Sequence, residues 1–368
     1  MEDATSPVRK IKRAETAEAG IPESRLELRK ELDDMAAVRL HIGTGSFDKE
    51  YRMTAHILGT GSYAVVKLAE RIDGDKGNVA VKVYEKSKLY TNKHRRKNLC
   101  SEIMVLKIWD HPNIVKLVNV FEDRANIYLV MEYVRGTSLY KYIKENKSKG
   151  LGDAEVRFIF KEILSALVYW HHKHIVHRDV KLENIIVTYD TKNQGSSELV
   201  ATGIKVIDFG FAVKYTKSEK STTFWGTPSY MAPEIVKRVQ FNLEKGDVWA
   251  LGVVFYTLIW GQFPFKGITN KDLCNKITRG VYVMPKNIST EAKRLLLSML
   301  QLDPSLRTTL IAITQDEWIL DKNDIEKLKE LKYRNYQLKK VYTKTRTCIG
   351  KVNDIKKPKL TVVKQAIQ

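Results

Sequence analysis

The sequence predicts an α+β protein of two unequal lobes: a small antiparallel five-stranded lobe with one main helix, followed by a larger, mainly helical lobe. Three observations carry this. From Tyr51 the chain runs through short β-rich segments separated by Gly-bearing turns. Beyond Gly136 the apolar residues switch to a 3.6-residue period. The length of 368 residues suits one large domain or two closely packed ones, with extensions.

Residues 1–48 are polar and charged, with one short helical candidate at 23–39, and are expected to form a flexible leader. Strands are expected at 51–58 (YRMTAHIL), 64–71 (AVVKLAER) and 78–86 (NVAVKVYEK), with Asp73, Gly74 and Asp75 as a turn between the last two. A basic stretch, 86–97, leads into a helix marked by Ile103, Leu106 and Ile108, and two more strands are expected at 115–121 and 127–133. These make a small lobe of about 51–133. In the larger lobe, about 134–320, Val156, Ile159, Phe160, Ile163, Leu164 and Leu167 recur at helical spacing behind Gly152 and Asp153, which predicts a helix over 153–172. Further helices are expected at 243–260, 270–279, 290–300 and 310–319. The folded unit is thus expected over 49–320, with a tail at 321–368.

Composition narrows the function classes. With 43% hydrophobic and 29% charged residues a sizeable core can form, which excludes disorder throughout. The cysteines Cys100, Cys274 and Cys348 are odd in number and far apart, which argues against a disulfide framework or a thiolate metal site and for a reducing compartment, cytoplasmic or nuclear. The N-terminus lacks an apolar core, and the longest apolar stretch, residues 248–260, falls well short of the roughly 20 residues that span a bilayer, so no transmembrane segment is expected. The formal charge of +20 is concentrated in the tail, where residues 331–368 carry eleven Lys or Arg against Asp354 alone. Such a tail is a solvated extension or an RNA- or membrane-binding element; without aromatic residues interleaved as in nucleic-acid sites, a DNA partner is not expected.

The first stretch with chemistry in it is Leu58-Gly59-Thr60-Gly61-Ser62-Tyr63-Ala64-Val65-Val66, a G-x-G-x-x-A-x-V run between two strands. Glycines let backbone N–H groups approach anionic oxygens, so this is phosphate-binding chemistry. A dinucleotide fold would need a helix directly after the glycines and a P-loop a closing Gly-Lys-Ser/Thr; neither is present. A near copy, Ile42-Gly43-Thr44-Gly45-Ser46-Phe47, is followed by Asp48-Lys49-Glu50 and lacks the second strand. Further on come Val79-Ala80-Val81-Lys82, Glu102, His177-Arg178-Asp179-Val180-Lys181-Leu182-Glu183-Asn184, Asp208-Phe209-Gly210, Ala232-Pro233-Glu234, Asp247-Val248-Trp249 and Arg307.

In this order and spacing the motifs, covering roughly residues 51–320, resemble a eukaryotic serine/threonine protein kinase, most closely the calcium/calmodulin-dependent and AMP-activated-kinase-like group. The resemblance implies a bilobal protein-kinase fold and transfer of the γ-phosphoryl of Mg-ATP to protein Ser/Thr hydroxyls. It implies that Lys82, oriented by Glu102, meets the α- and β-phosphates, that Asp208 and Asn184 hold Mg²⁺, that Asp179 accepts the substrate hydroxyl proton, and that Lys181 neutralises the phosphoryl in transit. Thr227 is expected to bond both Asp179 and Lys181, a serine/threonine-class feature. The same resemblance places ATP against residues 58–64, Val66, Ala80 and Ile186, with Met131 at the back of the slot and Glu132 to Val134 as the linker facing adenine. It puts the activation segment at 208–234, with Thr223 as its phosphorylation site and Arg178, Lys214 and residues 94–97 as partners for the phosphate. An upstream activating kinase is implied, and the basic tail becomes a candidate autoinhibitory or calmodulin-binding segment, although residues 342–347 are poor helix formers.

Three departures from the family pattern stand out. Ala64 replaces the third loop glycine, Ser138 stands where many basophilic relatives place a glutamate, and an expanded polar hairpin at 188–203 resembles an insertion at a loop tip. The run Trp170 to His177 holds four histidines but no cysteine or carboxylate cluster, which argues against zinc. Glu234 and Arg307 resemble the family's buried structural ion pair. The alternatives to an active enzyme are a catalytically silent kinase-fold scaffold, whose signature would be a lost Lys, Asp or Asn, and an RNA or membrane binder acting through the tail.

Overall fold

The computed structural model describes residues 42, 45–61, 64–72, 77–146, 151–191, 199–216, 220–221, 225–286 and 288–320. The leader helix at 23–39, the 73–75 turn, Ser62, Tyr63, Thr223 and the basic tail with its calmodulin reading lie outside the described residues. The small lobe begins with a helical turn, α1 (Phe47–Glu50), and the strands β1 (Tyr51–Thr60), β2 (Ala64–Arg71) and β3 (Asn78–Glu85). Then come α2 (Lys86–Tyr90), α3 (Lys93–Lys107), β4 (Leu117–Glu122) and β5 (Asn126–Glu132). The five strands form one antiparallel sheet in the order β1-β2-β3-β5-β4.

Each strand turns alternate residues to opposite faces, so one sheet buries two layers. On one face Leu99, Cys100 and Ile103 of α3 pack with Tyr84, Val120, Ile127 and Leu129. On the other, Val79, Val81 and Val130 pack with Phe47, Tyr51 and Phe121. Phe47 stacks on Tyr51 and Tyr128 at centroid distances of 5.6 and 4.6 Å, so a residue assigned to the leader by sequence belongs to this lobe. The α3 helix is started by Asn92, whose side chain accepts the N–H groups of His94 and Arg95. It ends at Lys107, and Ile108, expected on its apolar face, is 60% exposed.

The larger lobe opens with β6 (Thr137–Ser138), α4 (Leu139–Asn146), α5 (Asp153–His172), β7 (Ile175–Val176), β8 (Ile185–Thr191) and β9 (Leu199–Val206). It continues through β10 (Val213–Lys214), β11 (Lys220–Ser221), α6 (Pro233–Val236), β12 (Phe241–Asn242), α7 (Leu243–Trp260), α8 (Asn270–Arg279), α9 (Thr290–Met299) and α10 (Leu310–Thr314). The arms of the 188–203 hairpin are β8 and β9, paired from Ile185↔Val206 out to Thr191↔Leu199; residues 192–198 lie outside the described residues. The helix expected at 310–319 is shorter, ending at Thr314.

The α7 helix is the axis of this lobe. Thirteen of its residues are buried, Asn242 caps its start by accepting the Glu244 N–H, and Gly261 ends it at φ 72°, where a side chain would be strained. No helix among the described residues is long and apolar enough to cross a membrane. The chain divides into Met1–Ile313 and Thr314–Gln368. Within the second part, described as far as Leu320, Asp316 accepts the Trp318 N–H on its side chain and the Ile319 and Leu320 N–H groups on its carbonyl.

Candidate active site

The upper wall is β3 and its neighbours. Lys82 lies opposite Val66 on β2 and Leu129 on β5, and Ala80 lies opposite Met131, so Val66, Ala80, Lys82 and Met131 share one face of the sheet. From that face Lys82 Nζ reaches Glu102 Oε1 of α3 at 2.7 Å and Asp208 Oδ1 at 2.7 Å. Burial would lower the pKa of this ammonium group, but Glu102, Tyr84 and Asp208 outweigh it and hold Lys82 well above an ordinary lysine. The cation is therefore permanent at neutral pH.

The floor is the loop after β7. Asp247, buried on α7, accepts the backbone N–H groups of His177 and Arg178 at 2.9 Å each and bonds His171 Nε2 at 2.9 Å. The long buried helix thus fixes the loop from below. Asp179 is caged above it: Oδ2 lies 2.6 Å from Lys181 Nζ, and Oδ1 accepts the Thr227 hydroxyl at 3.0 Å. Lys181 also donates to Thr227 Oγ1 at 3.2 Å, and Asn184 Nδ2 donates to the Asp179 carbonyl at 3.0 Å. Ile207 N–H bonds the Asn184 carbonyl at 2.8 Å, which brings Asp208 beside that loop. Arg178 (φ 66°) and Asp208 (φ 63°) both adopt the left-handed conformation, which a side chain disfavours by roughly 1–3 kcal/mol; strain of this kind gathers at working sites.

Desolvation pushes the Asp208 carboxyl up, but Lys82 and the Gly210 N–H outweigh it and hold it at about 2, fully ionised at neutral pH. Its Oδ1 serves Lys82 and the Gly210 N–H, leaving Oδ2 for a cation. Asn184 spends its amide nitrogen on Asp179, leaving its carbonyl oxygen. A carboxylate and an amide oxygen are hard donors that suit Mg²⁺. Behind them Phe209 is fully buried against His177, Trp109 and Trp170, at ring-centroid distances of 4.7, 4.4 and 5.8 Å. Burial lowers the His177 pKa and keeps its imidazole neutral.

Residues 52–319 match the protein kinase domain family model, well over half of the chain. The chain belongs to the protein kinase family. The kinase domain is 37% identical over 265 residues to mouse sperm motility kinases 3A and 3B, covering 72% of this chain and 49% of each relative. It is 35% identical over 262 residues to rat serine/threonine-protein kinase SIK1, covering 71% of this chain and 32% of that protein. The chain therefore spans about half the length, or less, of these curated relatives.

The kinase fold brings Lys82, Glu102, Asp179, Lys181, Asn184 and Asp208 into contact chains, although Lys82 and Asp208 are 126 positions apart. The glycine-rich run is the turn of the β1–β2 hairpin, with Gly59 opposite Val66, Thr60 opposite Val65, and the Gly61 N–H on the Ala64 carbonyl. Leu58 is 37% exposed, while Ala80, Val134 and Ile186 are half-buried. The Glu132 side chain is engaged with Lys205 (2.7 Å) and the Lys116 N–H (2.9 Å). Ser138 caps α4 by accepting the Lys141 N–H, and Glu183 accepts the Tyr230 hydroxyl. The four histidines diverge: His171 goes to Asp247, His177 to Phe209, and His172 and His174 are exposed. Glu234 and Arg307 do form a buried pair, at 2.6 Å.

Sequence reading missed Tyr84. Its hydroxyl donates to Glu102 Oε2 at 2.5 Å, satisfying the second oxygen of a carboxylate only 1% exposed. The signal was present: Tyr84 is two residues after Lys82, hence on the same face of β3. Removing only the hydroxyl in Tyr84→Phe is expected to lower turnover about tenfold and the unfolding temperature by a few degrees, since one hydrogen bond to a buried charged group is worth roughly 1.5–3 kcal/mol. Steady-state kinetics and a thermal melt check this, and an unchanged rate would mean that Lys82 alone holds Glu102.

Proposed function

We propose that this chain is a serine/threonine protein kinase that transfers the γ-phosphoryl of ATP, with Mg²⁺, to Ser and Thr hydroxyls of protein substrates. The observation that carries the reading is the Asp179 cage, a carboxylate 3% exposed on its side chain and gripped by Lys181, Thr227 and Asn184. A group held in this way takes the proton of an incoming hydroxyl as its oxygen bonds the γ-phosphorus and the bond from phosphorus to the bridging oxygen of ADP breaks. Asp208 and Asn184 would hold Mg²⁺, which would supply charge neutralisation at the phosphates, and Lys82 and Lys181 add fixed positive charge of their own. Phosphorylation of Thr223 adds a further, regulatory charge, with Arg178, Lys214 and residues 94–97 as its cationic partners.

Transfer of labelled γ-phosphate from Mg-ATP to a basic protein and to the chain itself tests the proposal, with Asp179→Asn as the control. Phosphoserine and phosphothreonine are expected, and the control should lose about 10²–10³-fold in rate. Transfer that persists in Asp179→Asn, or product that is phosphotyrosine alone, overturns it. Mapping the self-modified residues tests Thr223.

A further inference from the structure

Three consecutive residues of the activation segment dock on two consecutive residues of the catalytic loop. Thr227 donates to Asp179. Gly226, at φ 96°, passes so close that a side-chain carbon there would lie 3.1 Å from the Arg178 carbonyl oxygen. Trp225 completes the set: the guanidinium carbon of Arg178 lies 4.4 Å from its ring centroid, while Arg178 Nε donates to the Phe211 carbonyl at 2.5 Å. The indole also meets Phe241, at 5.8 Å, next to the residue that caps α7. Arg178 itself sits at a left-handed φ of 66°, so its conformation has to be imposed by its surroundings.

We infer that Trp225 is a positioning residue whose ring face serves Arg178 as the partner that an anion would otherwise be, so that the catalytic loop and the activation segment are locked together before any phosphate is added. The negative face of an aromatic ring attracts a guanidinium, and the attraction is strongest where water is excluded. A guanidinium held over an indole face can still offer its remaining N–H groups to an anion, so Trp225 and a later phosphate can use different sides of the same cation. This inference rests on the kinase reading of the same site.

The test uses the full chain carrying Ser221→Ala, Thr222→Ala and Thr223→Ala, so that no phosphate can take over the role. Trp225→Phe and Trp225→Leu are compared in that background. Phenylglyoxal modification of Arg178, followed by peptide mass spectrometry, reads the stack without requiring activity. Labelling is expected to be about fivefold faster in Trp225→Leu than in the Trp225 parent, with Trp225→Phe between them because phenyl has the weaker face. Turnover should fall about tenfold in Trp225→Leu with KM for ATP unchanged, and by less in Trp225→Phe. Equal labelling in all three overturns the inference, as does full turnover in Trp225→Leu. If Trp225→Leu shows no cooperative unfolding, Trp225→Phe decides against the parent: faster labelling supports the stack and equal labelling overturns it. A labelling difference beside a chain that transfers no phosphate even with Ser221, Thr222 and Thr223 intact would sink the kinase reading alone, and transfer with equal labelling would sink the Trp225 role alone.

Discussion

Lys82→Met is expected to leave a folded protein that transfers phosphate about 10²–10³-fold more slowly. Lys82 Nζ lies 2.7 Å from both Glu102 and Asp208. Removing it deletes a preorganised cation and leaves two carboxylates facing each other without the charge that separates them. The fold is expected to survive because Glu102 keeps the Tyr84 hydroxyl and α3 keeps Leu99, Cys100 and Ile103 in the sheet layer. Turnover with saturating ATP, measured beside a thermal melt, checks both halves. A near-normal rate would remove Lys82 from the catalytic assignment, and a lost unfolding transition would make it a structural residue instead.

Arg307→Met is expected to destabilise the fold by about 3–5 kcal/mol, which lowers the unfolding midpoint by roughly 10 °C. The Arg307 side chain is fully buried and makes a two-pronged contact with Glu234, at 2.6 and 2.9 Å. It also donates to the carbonyls of Lys245 and Gln301 and sits 5.0 Å from the Trp249 ring centroid. Truncation strands Glu234 as a buried charge and frees two carbonyls at once. Adding Glu234→Gln to Arg307→Met should recover part of the loss, because the stranded charge is what costs most. Urea denaturation of the two variants checks this; a midpoint like that of the parent for Arg307→Met would mean that the pair adds nothing to the fold.

Much of the fold was legible because local pattern and long-range packing agree. The 3.6-residue repeat that marked 153–172 is the buried face of α5, and the β-rich run at 78–86 is β3, which ends at Glu85. Where reading failed, the deciding contact was remote in sequence. Phe47 looked like part of a polar leader until the sheet supplied Tyr128, 81 positions on, for it to stack against. Ile108 extended an apolar pattern, but the last α3 turn ends at Lys107 and turns it outward. The 310–319 helix stops early where Asp316 takes the Trp318 N–H into a turn of its own. At the site, motif residues could be named one by one because each chemistry demands a residue type. Tyr84 could not be named this way, since a phenol on a strand is ordinary core until a carboxylate is known to face it.

The aromatic packing behind Asp208 has a consequence for inhibitor chemistry. Phe209 is wedged among Trp109, Trp170 and His177, all of them buried. Swinging that ring out would open a hole the size of a phenyl group between stiff neighbours, at about 3–5 kcal/mol. A compound that requires the vacated space would bind a state populated at well under 1%, and would give up at least about a hundredfold in affinity. Ligands that leave Phe209 in place and occupy the face formed by Val66, Ala80 and Met131 avoid that penalty.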